Sequence, residues 1–335
     1  MSTPTAPEIV YFGLFDNCNA RCTMCDCWQL PRSAQSFTHY VQILDRVLTW
    51  RPRAVRFTGG EPLLFPRLPE LVTRASAAGC RVSVISNGRI LAPRVPALAE
   101  HGCDEVVISI DGLAARHDLI RGTPGLFARC MLSLDALHRA RLPYGVNTVI
   151  QASGLADLRA LGTVLRERPN PPAWWHLIPV RGNPVLAPDD AQCRTLHSDL
   201  DHLRQSMAEA RCDVVVDDAP FAAPRLVPCV VPEFTAYVRA DSGDVFGCNM
   251  LAHADGVIGN IARSDPAQLW QSATARALRS SCRAGENPGC RHCDAGSRSM
   301  NHVLRTLAAE TVRPPQAPHR RPLTEAPGHF VKETR

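Results

Sequence analysis

Cys18, Cys22 and Cys25 stand four and three residues apart, directly after the apolar run Ile9–Phe15. A strand that delivers three thiols into one short loop can seize a metal cluster. Four thiolates close a structural zinc or electron-transfer site. Three leave one position open, and an open position is where a substrate can meet the metal. Cys22 and Cys25 alone could instead be half of a zinc site or a redox dithiol. A disulfide framework fits less well, because nothing ahead of the first strand reads as a signal peptide.

Other chemistry-bearing residues fall where short strands should end. Gly59, Gly60 and Glu61 precede Pro62, and paired glycines let a backbone approach a ligand closely. Ser86 and Asn87 offer short, directed hydrogen-bond groups before Gly88; an Asn-Gly turn is the plain alternative. Ser109 and Asp111 come next, then His117 and Arg121-Gly122. Asp111 suits either a site carboxylate or a helix cap. Asn147 puts a polar group into an otherwise apolar strand. Trp174 and His176 should share one strand face and Trp175 the other, with a core tryptophan and a satisfied histidine as the bland reading and Arg181 close by.

The elements that must carry these residues alternate. Strand candidates are Ile9–Phe15, Ala54–Thr58, Arg81–Ser86, Glu105–Ile110, Gly145–Ile150 and Trp174–Pro179, each short and bounded by Gly, Pro or Asn. Between them apolar residues recur at helical spacing, as at Val41, Leu44, Val47 and Leu48, and at Leu68, Leu71, Val72 and Ala75. Strand–helix repetition predicts a parallel α/β sheet, with ligands at the carboxyl ends of the strands. The pattern fits an open six-unit barrel or a doubly wound sheet. Residues 191–210 predict one more helix, with Leu196, Leu200, Leu203 and Met207 on one stripe, and 214–216 a further strand. Pro220, Pro224, Pro228 and Pro232 then break the pattern. The expected division is a lead-in over 1–8, a barrel over 9–220, a cysteine-bearing domain over 221–302, and a helix and proline-rich tail over 303–335.

In that second region Cys229 and Cys248 flank a hairpin pattern that turns at Gly243, and Cys290-x2-Cys293 closes the set. Gly259-Asn260-Ile261 reads as a strand end and Leu269-Trp270 as a helix start. Four thiolates would also suit zinc, and Cys282 is a spare that could substitute. The other cysteines, Cys27, Cys80, Cys103, Cys130, Cys193 and Cys212, read mostly as buried structural thiols.

Cys-x3-Cys-x2-Cys after a first strand resembles the signature of the radical S-adenosylmethionine enzymes. The resemblance extends through Gly-Gly-Glu-Pro, Ser-x-Asp-Gly and Arg-Gly to a cysteine-rich C-terminal region, over about residues 9–300. It implies an α/β fold, a partial (β/α)6 TIM-like barrel with a small twitch/SPASM-like domain. It implies that Cys18, Cys22 and Cys25 hold a 4Fe–4S cluster whose fourth iron chelates S-adenosylmethionine. It assigns Met24 to the adenine, the Gly59–Glu61 backbone to the amino group, Ser86 and Asn87 to the ribose or methionine end, Ser109 to the ribose and Arg121 to the carboxylate, with Asn147 in the same pocket. It implies one auxiliary 4Fe–4S cluster on Cys229, Cys248, Cys290 and Cys293, in the shortened twitch form, because no cysteine follows Cys293.

Bulk properties exclude several classes. A chain of 335 residues with 45% hydrophobic content can bury a large α/β core and an appendage. The net charge of +5 comes without a basic block ahead of the tail, so no nucleic-acid partner is expected. No apolar run approaches the roughly 18 residues of a membrane span. Fourteen cysteines without an export signal point to a reducing, cytoplasmic setting. The expected activity is hydrogen abstraction from a sugar-like small molecule, an aminoglycoside, aminocyclitol or sugar nucleoside, in specialised metabolism. Epimerisation, dehydrogenation or decarboxylation would follow, with flavodoxin or ferredoxin as electron donor. A spare cysteine could return a hydrogen atom in an epimerisation. The alternatives are a peptide-modifying maturase and an iron–sulfur carrier or sensor without catalysis.

Overall fold

β1 (Ile9–Gly13) turns Val10 and Phe12 outward into the core and Tyr11 the other way, and this alternation repeats around the sheet. The computed structural model describes residues 4–30, 35–180, 183–216, 226–253 and 256–293, with positions 297, 298, 300, 301 and 304. After β1 come α1 (Phe37–Leu48), β2 (Ala54–Thr58), α2 (Leu68–Ala77), β3 (Arg81–Ser86), α3 (Val95–Glu100), β4 (Glu105–Ser109), α4 (Ala114–Ile120), α5 (Leu126–Arg139), β5 (Tyr144–Ile150), α6 (Leu158–Arg166), β6 (Trp174–Pro179), α7 (Asp190–Glu209) and β7 (Asp213–Val215). Strands β1 to β7 pair in sequence order, all parallel, as a curved sheet with the helices outside. This is the partial barrel that the family resemblance implied, not the doubly wound sheet that the strand–helix pattern also allowed.

Helix boundaries follow local chemistry. Ser36 caps α1 by accepting from His39 N, and Asp189 and Gln192 form a reciprocal capping box at α7. The outer core is continuous: Val55 and Phe57 on β2, Val106 and Ile108 on β4, and Trp175 on β6 are all fully buried against the helices. Trp175 Nε1 donates to Thr148 Oγ1 at 2.8 Å, so its polar end is satisfied.

The chain continues through α8 (Val231–Phe234), β8 (Thr235–Arg239), β9 (Asp244–Phe246), β10 (Val257–Asn260), α9 (Pro266–Trp270) and α10 (Ala273–Ala284). β8 lies parallel beside β1, and β9 and β10 extend the sheet antiparallel from it. The cysteine-bearing region therefore prolongs the barrel's own sheet past its first strand. It also grips α1: Trp50 Nε1 donates to Pro266 O at 2.9 Å, and Arg46 donates to the carbonyls of Ile261 and Ser264.

Three sequence expectations are corrected. The first strand stops at Gly13, two residues before Phe15, where the chain bends into the cysteine loop. The fourth stops at Ser109. Leu269 and Trp270 close α9 instead of opening a helix, because Asp265 caps that helix ahead of Pro266. The expected boundary at 220/221, Arg181 and most of 303–335 lie outside the described residues. No described helix is long and apolar enough to cross a membrane.

Candidate functional site

The loop carrying Cys18, Cys22 and Cys25 is stitched to the ends of three neighbouring elements. On one side, Gly60 N donates to Phe15 O at 2.7 Å and Glu61 N to Asn17 O at 2.9 Å. A Cβ on Gly60 would lie 2.2 Å from the Asn17 carbonyl oxygen, and one on Gly59, at φ 129°, 2.4 Å from that of Phe15. Only glycine allows this approach. On the other side, Arg21 N donates to Arg121 O at 3.0 Å and Thr23 N to Ile120 O at 2.9 Å. There a Cβ on Gly122 would strike the Arg21 carbonyl at 2.2 Å. The Gly-Gly and Arg-Gly motifs are thus two of the three supports of the cysteine loop.

The end of β3 supplies the third support. Asn87 Nδ2 donates to Asn19 Oδ1 at 2.8 Å and approaches Cys18 Sγ at 3.6 Å. Arg89 donates to the Asn19 carbonyl. Glu61, fully buried, gathers these pieces: it accepts from Ser86 Oγ at 2.9 Å, Asn87 N at 2.7 Å and Leu63 N at 3.1 Å. Burial raises its carboxyl to about 7, against the lowering effect of those donors and of Arg121. Ser86, with its hydroxyl donated to Glu61, belongs to this framework. With the Gly60 and Glu61 amides committed, the groups this turn leaves for a ligand are the Gly59 and Gly60 carbonyls.

Beneath the loop, Arg121 and Asp111 form a buried ion pair. Nε and Nη2 reach the two carboxylate oxygens at 2.5 and 3.0 Å, and Nη1 stands 3.8 Å from Cys22 Sγ. Asp111 also accepts from Val149 N at 2.8 Å. It therefore anchors Arg121 instead of capping α4. Burial pulls Arg121 down, but Asp111 and the Cys22 thiol outweigh it and the guanidinium stays charged. His117, fully buried, accepts the Asp111 amide at Nδ1 at 3.0 Å and points Nε2 at Cys130 Sγ, 3.8 Å away. Burial lowers this imidazole to about 4, so it is neutral with its proton on Nε2.

These surroundings fit a cluster. Burial pushes the Cys18 and Cys22 thiols up. Cys25 is lowered to about 6 by its contact with Cys27, with help from Arg121. Soft thiols in a half-buried loop beside one guanidinium are the donors of an iron–sulfur centre, and metal binding releases their protons. Met24 is half-buried on the same loop.

Cys229, Cys248, Cys290 and Cys293 line one cavity in the C-terminal region. Burial drives the Cys248 thiol up to about 12. Four thiols lining one cavity could hold an iron–sulfur cluster, and soft thiolates suit zinc as well. Cys282, 1% exposed, lies 3.7 Å from Cys290 Sγ, outside that lining.

Inside the barrel is a cavity of ≈ 260 Å³, lined by Tyr11, Arg56, Ile85, Val107, Asn147, Trp174, His176, Ile178 and Val215 from the strands and by Asn249, Ser297 and Met300 from the C-terminal region. Trp174 and His176 thus face inward and Trp175 outward. The Trp174 indole lies over Gly145, where a Cβ would meet the ring at 2.2 Å, and Nε1 donates to Glu105 Oε1 at 2.9 Å. Asn147 Oδ1 is buried with no hydrogen-bond partner among the described residues. Ser109 stands opposite Asn147 in the strand register, at the rim between cavity and loop.

Sequence reasoning passed over Arg56 and Tyr11, although Val55 and Phe57 flanking Arg56 already put it on the inner face. It had no signal for Cys130, whose place under His117 depends on how α5 packs.

The Radical SAM superfamily model matches residues 13–153, and that of SPASM, an iron-sulfur cluster-binding domain, matches 229–294. An AdoMet-dependent heme synthase of Methanosarcina barkeri is 30% identical over 158 residues, 46% of this chain and 45% of that protein. A GTP 3',8-cyclase of Chlorobaculum tepidum is 38% identical over 110 residues, 32% of this chain and 33% of that protein. The chain spans less than half the length of these curated relatives. Among solved structures, anSMEcpe with bound AdoMet and Cp18Cys peptide superposes with TM-score 0.67 at 15% identity, covering 86% of this chain and 88% of the other. SuiB of Streptococcus suis bound to S-adenosylmethionine gives 0.67 at 14%, covering 84% and 68%. At such identity the likeness concerns the fold. With both models matched on the two cysteine groups, the chain belongs to the radical SAM superfamily: an enzyme that takes S-adenosylmethionine and a 4Fe–4S cluster, with an auxiliary iron–sulfur cluster in a C-terminal SPASM domain.

Proposed function

We propose that this enzyme takes a hydrogen atom from an unactivated C–H of a carbohydrate-like small molecule held in the barrel cavity, leading to epimerisation, dehydrogenation or decarboxylation in natural-product biosynthesis. The observation that carries this reading is the inward-facing barrel cavity of ≈ 260 Å³, a largely apolar space to which Arg56, Asn147 and His176 add polar groups. When bound, S-adenosylmethionine and the cluster supply a primary carbon radical able to attack such a bond.

In this reading Cys18, Cys22 and Cys25 hold the first cluster. The Gly59 and Gly60 carbonyls accept from the ammonium of S-adenosylmethionine. Arg121, aimed by Asp111, meets its carboxylate with the nitrogen that Asp111 leaves over. Asn87 braces the loop, Ser109 and Asn147 line the ribose side, and Met24 covers the adenine. Cys229, Cys248, Cys290 and Cys293 hold the auxiliary cluster, in the shortened twitch arrangement. With four protein thiolates it moves electrons or stabilises the fold and leaves substrate to the barrel. The cavity walls exclude water and hold one carbon in place, which keeps the radical from being quenched elsewhere. Residues 9–220 would form the catalytic barrel and 221–302 the auxiliary domain, in a cytoplasmic enzyme fed by a flavodoxin or ferredoxin.

The test is anaerobic reconstitution followed by dithionite and S-adenosylmethionine. 5′-Deoxyadenosine should form, and candidate sugars in deuterium oxide should then separate the fates. Solvent deuterium at one carbon reports epimerisation, a new carbonyl reports oxidation, and carbon dioxide reports decarboxylation. Iron near four per chain, instead of about eight, with no 5′-deoxyadenosine would leave only an iron–sulfur carrier.

A further inference from the structure

We propose that the substrate carries an anion, a carboxylate or a phosphate, that docks on Arg56. This rests on reading the barrel cavity as the substrate site. Arg56 stands in the middle of β2, between Val55 and Phe57, which are fully buried in the outer core. Strand alternation therefore sends its guanidinium inward. Among the described residues that line the cavity it is the single charged side chain, and none of them is an acid. The strand register puts Tyr11 and Ser83 beside Arg56. Its recorded contact is with the Tyr11 ring, 5.8 Å from the centroid, and it makes no ion pair with a described residue. Glu105, also turned inward, is bonded to Trp174.

Arg56 is half-buried, and the Tyr11 ring beside it does not neutralise its charge, so the guanidinium has no described counter-ion. An anionic ligand restores the balance, and the planar fork of arginine suits carboxylate or phosphate through two parallel hydrogen bonds. The rest of the cavity describes the remainder of the molecule. Trp174, laid flat over Gly145, offers an apolar face for a sugar ring. The volume of ≈ 260 Å³ is of monosaccharide scale, below the roughly 300–1,000 Å³ of sites for drug-sized ligands. The ligand class is therefore a sugar acid or sugar phosphate. A polycationic aminoglycoside, which Arg56 would repel, is disfavoured.

The experiment is anaerobic titration calorimetry on the holoenzyme with S-adenosylmethionine bound, using glucose 6-phosphate, glucuronate and glucose as probes. One of the two anions should bind at least about tenfold tighter than glucose, the margin expected of a charge-assisted hydrogen bond. Which anion wins separates phosphate from carboxylate. Arg56→Gln, at wild-type iron content and melting temperature, should erase that preference, and Arg56→Lys should restore part of it. Glucose bound as tightly as both anions, or a preference that survives Arg56→Gln, overturns the proposal. Wild-type 5′-deoxyadenosine formation without any sugar is measured alongside. Its absence would strike the radical reading itself, whereas its presence with indifferent calorimetry strikes the anion inference alone.

Discussion

Arg121 holds Asp111 by two hydrogen bonds and keeps its remaining nitrogen 3.8 Å from the Cys22 sulfur. One guanidinium thus ties the end of β4 to the cysteine loop. The Arg121 side chain is 10% exposed and that of Asp111 is sealed. Breaking such a pair leaves a buried charge uncompensated. Asp111→Asn should cost about 3 kcal/mol or more, read as a lower melting temperature. It should also weaken S-adenosylmethionine binding, because the freed guanidinium loses its orientation. Arg121→Lys keeps the charge and loses the two-point fork, so it should weaken binding with a smaller loss of stability. Unchanged affinity in both variants would remove Arg121 from the cofactor site.

Glu61 and His117 should give opposite pH dependences. Glu61 is raised from its ordinary value to about 7, so the fold binds its proton more tightly than the unfolded chain does. Its contribution to stability is present in acid and is lost as pH rises through about 7. His117 is lowered to about 4, so its contribution is present above about 6.5 and is lost as pH falls toward 4. Each shift corresponds to about 3 kcal/mol, and between roughly pH 4.5 and 6.5 the two slopes offset each other. Wild-type stability should therefore be nearly flat there. Glu61→Gln should become more stable as pH rises, and His117→Gln less stable, in chemical melts at stepped pH. Parallel curves for all three proteins would contradict both assignments.

Iron counting separates the two cysteine groups. Wild type should bind about eight irons per chain after anaerobic reconstitution, Cys22→Ala about four, and Cys293→Ala about four. Cys22→Ala should abolish 5′-deoxyadenosine formation. Cys282→Ala should leave the count unchanged, because Cys282 lies outside the cavity that the other four thiols line. Loss of the auxiliary iron in Cys282→Ala, with retention in Cys290→Ala, would exchange their roles.

Much of this architecture could be read from spacing alone. Short runs rich in Val, Ile and aromatics, bounded by Gly, Pro or Asn, located every strand from β1 to β6 to within two residues. The motif residues were legible as chemistry, but their partners were not. Gly59, Gly60 and Gly122 serve the cysteine loop by close approach of backbones far apart in sequence, which no local pattern encodes. Asp111 offered two local readings, site carboxylate or cap, and its pairing with Arg121 ten residues later excludes only the cap. That β8 would pair with β1 was equally hidden, because pairing across more than 220 residues depends on which edge the barrel leaves open.

Gly145 and Trp174 provide a test of the cavity floor. Gly145 is an ordinary extended strand residue, so alanine there introduces no backbone strain. Its methyl would, however, sit 2.2 Å from the Trp174 ring. The indole must move, breaking its 2.9 Å bond to Glu105, which is itself 6% exposed. Overpacking of this kind costs about 1–3 kcal/mol. Gly145→Ala should destabilise the fold by about 1–3 kcal/mol, read as a lower melting temperature, and weaken binding of whatever sugar the cavity takes. Trp174→Ala alone removes the ring and exposes the Glu105 carboxylate to the cavity. In the double variant the clash has no partner, so alanine at 145 should cost nothing beyond Trp174→Ala, a coupling of about 1–3 kcal/mol. Fully additive losses would mean that the indole does not rest on Gly145. The stacking face assigned to the sugar ring would then have to come from Tyr11 or His176.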